Sequence, residues 1–453
     1  MDAAQVKIRL FTKEEDESLH VSDAPLYVPV SLKRYGLSEV VNHLLEKDTE
    51  APIPFDFLID GQLLRTSIDE YLVQNGLSSE AFLNVEYTRA VLPPSFLGSF
   101  NNEDWVSSVD VINPQSVAAT SSQVPITDAK ILSGCYDGIV RTYNASGQVE
   151  RQFVGHSAPV KAVKWVSSTR VVSAGNDRQV RLWKSGAEPV AVDDDEDAEL
   201  GKTYAILEGH KAPVVTLDVH QGSNRIISGA YDNTVAVWST IQSQMAAINV
   251  HADEDKYLSS ASKKRRKMAV QDATLRRRAP LSVLDGHTQQ VEGVAFDARD
   301  ASVAYSVSQD HTIKTWDLYT GKCVDTKQTG YSLLSVLPLA GPSLLATGSS
   351  ARHINLSDPR AEEATSKRLV GHTNFVVSLA ASPDNANLFS SASHDGTVKV
   401  WDVRGEKPLY TITREGADTK PKLFGVAWDP VVGIVSGGSD KKLQINKGTD
   451  IAK

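Results

Sequence analysis

SASHDGTVKVWD, residues 391–402, decides the fold, because the chain repeats its pattern. SGCYDGIVRTYN (133–144), SAGNDRQVRLWK (173–184), SGAYDNTVAVWS (228–239) and SVSQDHTIKTWD (306–317) share its plan. TGSSARHINLSD (347–358) and SGGSDKKLQINK (436–447) keep it more loosely, which makes seven copies. Each copy predicts the end of one strand, a tight turn and a second strand. Asp137–Gly138 and Asp395–Gly396 suit such a turn, because hairpin turns that match strand twist need positive φ. Behind the turn apolar and polar residues alternate, as at Val180 and Leu182 or Val398 and Val400. That is the period of a half-buried strand.

Successive copies begin at residues 133, 173, 228, 306, 347, 391 and 436. Most intervals approximate the ~40–45 residues of a four-stranded propeller blade. The two long ones carry polar insertions, at 190–202 and 245–280. Ahead of four copies stands a Gly-His pair, ending at His156, His210, His287 and His372. A short apolar strand such as VKAVKW or VEGVAF follows each pair. WVSSVDV from Trp105 and FGVAW ending at Trp428 are strands of the same kind without the pair. The last copy stops at Lys447, near the end of the sequence, so its blade needs an outer strand from before Trp105. The segment from Arg89 to Phe100, partly within a linker at 91–104, is the candidate.

These residues resemble the WD-repeat family from about Trp105 to Lys447. In four copies Ser precedes the turn Asp by four residues and Trp follows it by six. The resemblance implies a mainly β chain whose residues 105–448 form a seven-bladed WD-repeat β-propeller. It also implies a buried hydrogen-bonded network in four blades. The sets are His156, Ser173, Asp177, Trp183; His210, Ser228, Asp232, Trp238; His287, Ser306, Asp310, Trp316; and His372, Ser391, Asp395, Trp401. Buried polar groups must find partners, and a satisfied network stiffens a blade. A Ser-His-Asp catalytic set is the competing reading, but a catalytic constellation is normally built once, and these recur at regular spacing. Copies one, five and seven carry Tyr143, Ser357 and Asn446 at the Trp position, and copy five has Ala351 at the Asp position. Those blades are expected to lack the full network.

Residues 1–90 stand outside the repeat. VKIRLF from Val6 alternates as a strand, and Tyr27–Val30 is a second extended segment. LSEVVNHLL puts Leu37, Val40, Val41, Leu44 and Leu45 on one helical face, with Gly36 or Ser38 near its start. FDFLIDGQLL reads as a hairpin around Asp60–Gly61, and FLNVEYTRA from Phe82 as a last strand. Strand, strand, helix, hairpin, short loop with Tyr71 in a turn, strand: this order resembles ubiquitin, a small α+β (β-grasp) domain. The terminal Gly-Gly of ubiquitin is absent, because the chain runs on through Ala90 and Val91. The module is therefore a docking domain and not a conjugated modifier.

The chain has 453 residues, 41% hydrophobic and 23% charged, so a modular soluble protein is expected. A net charge of −9 gives no general attraction to nucleic acid. Two cysteines, Cys135 and Cys323, make no disulfide framework and suit a reducing compartment. The start MDAAQVKIRLF lacks a signal-peptide pattern, and no apolar run suffices to span a bilayer. The acidic run Asp193 to Asp197 with Glu199 reads as a solvated loop or a contact for a basic partner. The stretch from Lys256 to Arg278 is dominated by basic residues and reads as disordered. Lys263, Lys264, Arg265, Arg266 and Lys267 form one cluster, and Arg276, Arg277 and Arg278 another. The alternatives are a nuclear-import signal, a direct RNA-phosphate contact, or a plain solvated loop.

VKIRLF, SLKRYGLSEVVNHLL, PFDFLIDGQLLRTS, GLSSEAFLNVEYTRAVLPP and NEDWVSS together resemble the WD-repeat ribosome-assembly factors of the PeBoW complex. The resemblance covers essentially the whole chain. It implies a non-catalytic factor in large-subunit biogenesis and rRNA maturation, in the nucleolus and nucleoplasm. It implies partnership with the block-of-proliferation protein through the propeller, and with pescadillo in the complex. It also implies that the ubiquitin-like domain docks the adhesion-site domain of midasin, an AAA+ ATPase, for release from the pre-ribosomal particle. There Glu80 would complete the coordination of a divalent ion, Mg²⁺, held by the partner, because hard cations take carboxylate oxygens. Glu86 is the runner-up, and Asp60 is committed to its turn. The competing function is a substrate receptor of a cullin ubiquitin ligase, suggested by the WDxR form of Trp401-Asp402-Val403-Arg404. A hydrolase would need one convergent polar site in the central channel, and nothing in the sequence places one.

Overall fold

The computed structural model describes residues 4–14, 16–45, 52–78, 80–122, 124–185, 199–248, 275–363, 365–414 and 420–448. The cluster Lys263–Lys267 and the acidic residues 193–197 lie outside them. The chain forms two compact units and passes from one to the other between Pro93 and Pro94.

The first unit contains β1 (Gln5–Phe11), β2 (Leu26–Pro29), α1 (Arg34–Leu44), β3 (Phe55–Ile59), β4 (Gln62–Leu63), α2 (Ile68–Gln74) and β5 (Phe82–Arg89). The sheet order is β2-β1-β5-β3-β4, with β1 and β5 parallel. Alternation in β1 buries Val6, Ile8 and Leu10, which pack with Leu37 and Val41 of α1 and with Phe55, Phe57, Val85 and Tyr87. Asp60 (φ 51) and Gly61 (φ 77) both take the left-handed backbone that the twisted hairpin requires.

Three details depart from the sequence reading. The stretch expected as a short loop is α2, capped by the Ser67 hydroxyl, which accepts from the Glu70 N–H at 3.3 Å. Asp69 and Glu70 occupy its first turn, where the helix dipole favours negative charge. Helix α1 starts at Arg34, so Gly36 and Ser38 sit inside it; Ser38 instead donates to the Ile53 carbonyl at 3.2 Å. Its apolar face is also narrower than the spacing implies. Leu44 is exposed, while Asn42 is buried and pairs its amide with both backbone groups of Ile53, at 2.8 and 2.9 Å.

The second unit contains seven sheets among the described residues. Their innermost strands are Val106–Ile112, Val160–Ser167, Val214–His220, Val291–Phe296, Leu333–Leu339, Val376–Ala381 and Leu423–Asp429. Each contacts the next, and the last contacts the first, so the ring closes. The closing sheet takes its outer strand from β6 (Pro94–Asn101), beside Lys442–Gly448. Ser95 donates to the Lys447 carbonyl at 3.0 Å, and the Asn102 N–H to that of Lys441 at 2.7 Å. Arg89, placed in the closing segment by the sequence reading, belongs instead to β5.

Side chains of the inner strands stitch neighbouring blades. Asp110 accepts from the Trp165 N–H at 2.7 Å, Asp218 from that of Phe296 at 2.8 Å, and Ser378 from that of Val426 at 3.2 Å.

Both insertions return to the sheet before their own. Glu199–Leu200 pairs parallel with Val149–Val154, and Arg277–Arg278 pairs parallel with Lys202–Leu207. The described ends of the basic insertion are therefore structured. Arg277 pairs with Glu208 at 2.9 Å, Arg278 donates to the Met245 carbonyl at 3.3 Å, and Met245 is in the core. Two of the three arginines of the second basic cluster are strand residues, because strand pairing outweighs their solvation.

Deleting residues 94–101 removes the outer strand of the closing sheet and exposes a fresh edge. The expected result is a sharply lower melting temperature for the propeller; an unchanged one would show that β6 does not hold the ring.

Candidate functional site

In four blades one hydroxyl joins the sheet to its turn. Trp183 Nε1 donates to Ser173 Oγ at 2.7 Å, His156 Nε2 lies 2.7 Å from the same oxygen, and its Nδ1 lies 2.8 Å from Asp177. Trp238, Ser228, His210 and Asp232 repeat this at 2.8, 2.8 and 3.1 Å. Trp316, Ser306, His287 and Asp310 do so at 2.7, 2.6 and 2.8 Å. Trp401, Ser391, His372 and Asp395 do so at 2.7, 2.7 and 2.8 Å. A carboxylate only accepts, so each histidine carries its proton on Nδ1 and accepts the serine proton on Nε2. Every member then has one consistent direction: indole to serine, serine to histidine, histidine to aspartate.

The aspartate has a second task. One oxygen accepts from the N–H two residues on, as from Gln179 at 3.2 Å and Thr397 at 2.9 Å, which fixes the turn. The other accepts from the residue after the histidine, as from Lys211 at 2.7 Å and Thr373 at 3.0 Å. Pinned in this way, the turns accept non-glycine residues at positive φ: Arg178 (φ 67), Asn233 (φ 67) and His311 (φ 69). Burial pushes these carboxyls up, but hydrogen bonds from histidine and neighbouring N–H and hydroxyl groups hold all four below the ordinary 3.8. Burial lowers His287 and His372 below 6.5, against the opposite pull of Asp310 and Asp395.

The remaining three blades have substitutes that motif matching passed over. Counting four residues back from the first residue of an inner strand gives His156, His210, His287 and His372, but also Asn102 and Thr329. Asn102 accepts from the Tyr143 hydroxyl and from the Cys135 thiol, the latter at 3.5 Å. Burial pushes that thiol up to about 11, so it stays a donor. Thr329 lies 2.9 Å from the His311 carbonyl, and nearby Tyr331 donates to Asn355 at 2.6 Å. In the closing blade Arg414 approaches Asp440 at 3.3 Å and donates to the Ser436 carbonyl at 3.1 Å. For Asn102 and Thr329, spacing from the strand was the available signal, and residue identity hid it.

Nothing in these sets suits hydrolysis. Ser173, Ser228, Ser306 and Ser391 are each 0% exposed and already engaged, so no substrate reaches them. In the central channel Asp110 and Asp218 are committed to backbone N–H groups, and Lys164 lies 3.6 Å from Asp110. The WDxR tetrad closes on itself: Arg404 grips Asp402 at 3.0 and 2.8 Å.

The first unit holds a different kind of group. Helix α2 ends on Gly76 (φ +65), whose N–H reaches the Val73 carbonyl at 3.2 Å while that of Leu77 reaches Leu72 at 2.8 Å. This paired C-terminal cap halts the helix and sets the exit of the chain. The Ala81 N–H then bonds the Ser78 carbonyl at 3.0 Å, and β5 follows at once. Glu80 is exposed on this loop, and no hydrogen bond or ion pair among the described residues engages it. The other two carboxylates are taken: Glu86 pairs with Lys13 at 2.7 Å, and Asp60 accepts from Tyr71 at 3.3 Å. Among the described residues no three His, Cys, Asp or Glu side chains are grouped to hold a metal.

Residues 6–72 match the NLE (NUC135) domain family. Residues 147–184, 201–239, 278–317 and 364–402 match the WD domain, G-beta repeat, and contain the four complete networks. The chain is 66% identical over 457 residues to the ribosome biogenesis protein YTM1 of Candida albicans, covering 99% of this chain and 98% of that one. It is 65% identical to the protein of the same name from Scheffersomyces stipitis, over 100% of this chain and 99% of that one. The corresponding protein of Debaryomyces hansenii is 63% identical over 100% and 99%.

Ser228→Ala leaves the Trp238 indole and the His210 ring without a shared partner. Denaturant unfolding should show a loss of about 1–3 kcal/mol; a neutral result would mean the network contributes no stability. Acidification should act in two stages. His287 and His372 take up protons less readily folded than unfolded, so stability falls as the pH drops below 6.5. The aspartates are likewise depressed, so a further loss begins below 3.8. A melting temperature constant from about pH 7.5 to about pH 5 would contradict the first stage.

Proposed function

The chain belongs to the family of the ribosome biogenesis protein YTM1, a non-catalytic scaffold family, and we propose that it serves there as a detachable docking platform. Its propeller binds the block-of-proliferation protein directly and joins pescadillo on large-subunit precursors during rRNA maturation. Its ubiquitin-like domain presents Glu80 to the adhesion-site domain of midasin, and ATP-driven pulling then removes the platform. Nucleolar and nucleoplasmic residence follows from where these precursors are built, with Lys263, Lys264, Arg265, Arg266 and Lys267 as the import signal.

The observation that carries this reading is Glu80 itself. It is an uncommitted carboxylate on a loop braced by the cap at Gly76 and by β5. A divalent ion with one open position, Mg²⁺ above all, takes such an oxygen ligand readily. The ion belongs to the partner, and this chain supplies one ligand.

Glu80→Ala should weaken Mg²⁺-dependent binding of the full chain to the purified midasin adhesion-site domain at least ~100-fold, about 2.7 kcal/mol. Chelation should reduce the unaltered chain to the same level and leave the variant unaffected. Binding by the variant equal to that of the unaltered chain would overturn the assignment.

A further inference from the structure

Five rings form one continuous surface across the sixth, seventh and first blades. Phe375 lies 6.0 Å from His394, and His394 5.5 Å from Phe424. Phe424 lies 6.0 Å from Trp105 and 5.9 Å from Tyr136, and those two approach to 5.4 Å. They are not blade core. Trp105 precedes one inner strand and Phe375 another, Tyr136 and His394 stand just before turn aspartates, and Phe424 is the second residue of an inner strand. Trp105 and Phe375 are each 42% exposed. Phe424 and Lys161 also line the central cavity, of about 230 Å³. A ring cluster that is exposed at Trp105 and Phe375 and half-buried at Tyr136, His394 and Phe424 is of the kind that marks an interaction surface.

The charge of this rim selects the partner. Lys161 donates to the Tyr136 hydroxyl at 2.7 Å and lies 4.3 Å from its ring centre. Lys420 and Lys422 are exposed just ahead of Phe424. The carboxylates beside the rings already have partners; Glu292, in the same cavity as Lys161 and within its electrostatic reach, accepts from Gln309 at 2.6 Å. Asp137 is held by Arg141 at 2.6 Å, Asp395 by His372 at 2.8 Å, and Asp440 by Arg414 at 3.3 Å. At the edge, Asp104 lies 4.0 Å from Lys441. The described rim thus offers ammonium groups and apolar rings together.

We propose that this rim docks an acidic segment of a partner polypeptide, with an apolar or aromatic side chain seated between Trp105, Phe375 and Phe424. Single-stranded RNA is disfavoured by ring geometry. A base needs an open ring face to stack on. Here Trp105 meets Tyr136 at 65° and His394 meets Phe424 at 83°, so in these two pairs one ring covers a face of the other. Edge-on packing of this kind leaves a corrugated apolar surface that suits a side chain. The proposal is independent of Glu80, which lies in the other unit.

The test installs a photo-crosslinking benzophenone side chain in place of Phe375 in the full chain, within affinity-purified pre-ribosomal complexes. A second chain carries it in place of Tyr319, 93% exposed on the fourth blade, as the reference position. The product at 375 should be a polypeptide segment of net negative charge, absent at 319. Combining it with Lys420→Glu and Lys422→Glu should cut its yield about tenfold, equivalent to about 1.4 kcal/mol, with an unchanged melting temperature because both lysines are exposed. An RNA product, a basic segment, no product above the reference, or a yield insensitive to charge reversal would each overturn the proposal.

Discussion

A serine hydroxyl sealed from water accepts from a tryptophan and donates to a histidine in each of four blades, and the blade geometry depends on it. Ser173 joins the strand of Trp183 to the loop of His156, and through His156 to the turn held by Asp177. Strand, loop and turn come from distant parts of the repeat, so one chain of three hydrogen bonds fixes their spacing. Its direction is forced at one end by a carboxylate that only accepts and at the other by an indole that only donates. Full satisfaction in a dry interior makes the arrangement stiff, and loss of any member leaves buried groups unpaired. The same burial removes these serines from catalysis.

The other three blades show which part of the constraint is general. They lack the histidine and tryptophan, yet Asn102 with Tyr143, and Arg414 with Asp440, still link loop, strand and turn. What recurs is a buried polar bridge from the segment ahead of the inner strand. Ring closure then supplies stability that each blade lacks alone. Every inner strand is packed between two neighbours, and β6 comes from the far end of the unit to pair the final sheet. The insertions exploit the same architecture, since each lays a short strand on an outer edge that would otherwise be open.

A rigid body of this kind is suited to presenting groups. In the propeller the turn aspartates beside the five rings are held by Arg141, His372 and Arg414, with the rings and Lys420 and Lys422 on the same stretch of rim. In the first domain the capped end of α2 leads to one exposed carboxylate, Glu80. Glu80 and Glu86 are six residues apart, yet among the described residues only Glu86 of the two pairs with a cation, Lys13. The difference is one of backbone direction: Glu86 projects from β5 across the sheet, while Glu80 precedes the strand.

Sequence alone determined the repeat, the four serine-centred sets and the β-grasp order of the first domain. These follow from local spacing: period two for strands, Asp-Gly for tight turns, and recurrence of residue types that need one another when buried. Tertiary structure alone decided the rest. Asn102, Thr329 and Arg414 match no motif, and only their position before or beside an inner strand reveals their work. Helix α2 has no sequence signature beyond a short loop, because seven residues are too few to show a helical period; its evidence is the Ser67 cap and the packing of Ile68 and Leu72. Arg277 and Arg278 look like part of a charged tail until strand pairing and Glu208 claim them. The rim of five rings has no linear signature, because residues 105, 136, 375, 394 and 424 become neighbours only when the ring closes. Local chemistry is written along the chain, whereas contact between distant segments exists only after the chain has paid the entropy of bringing them together.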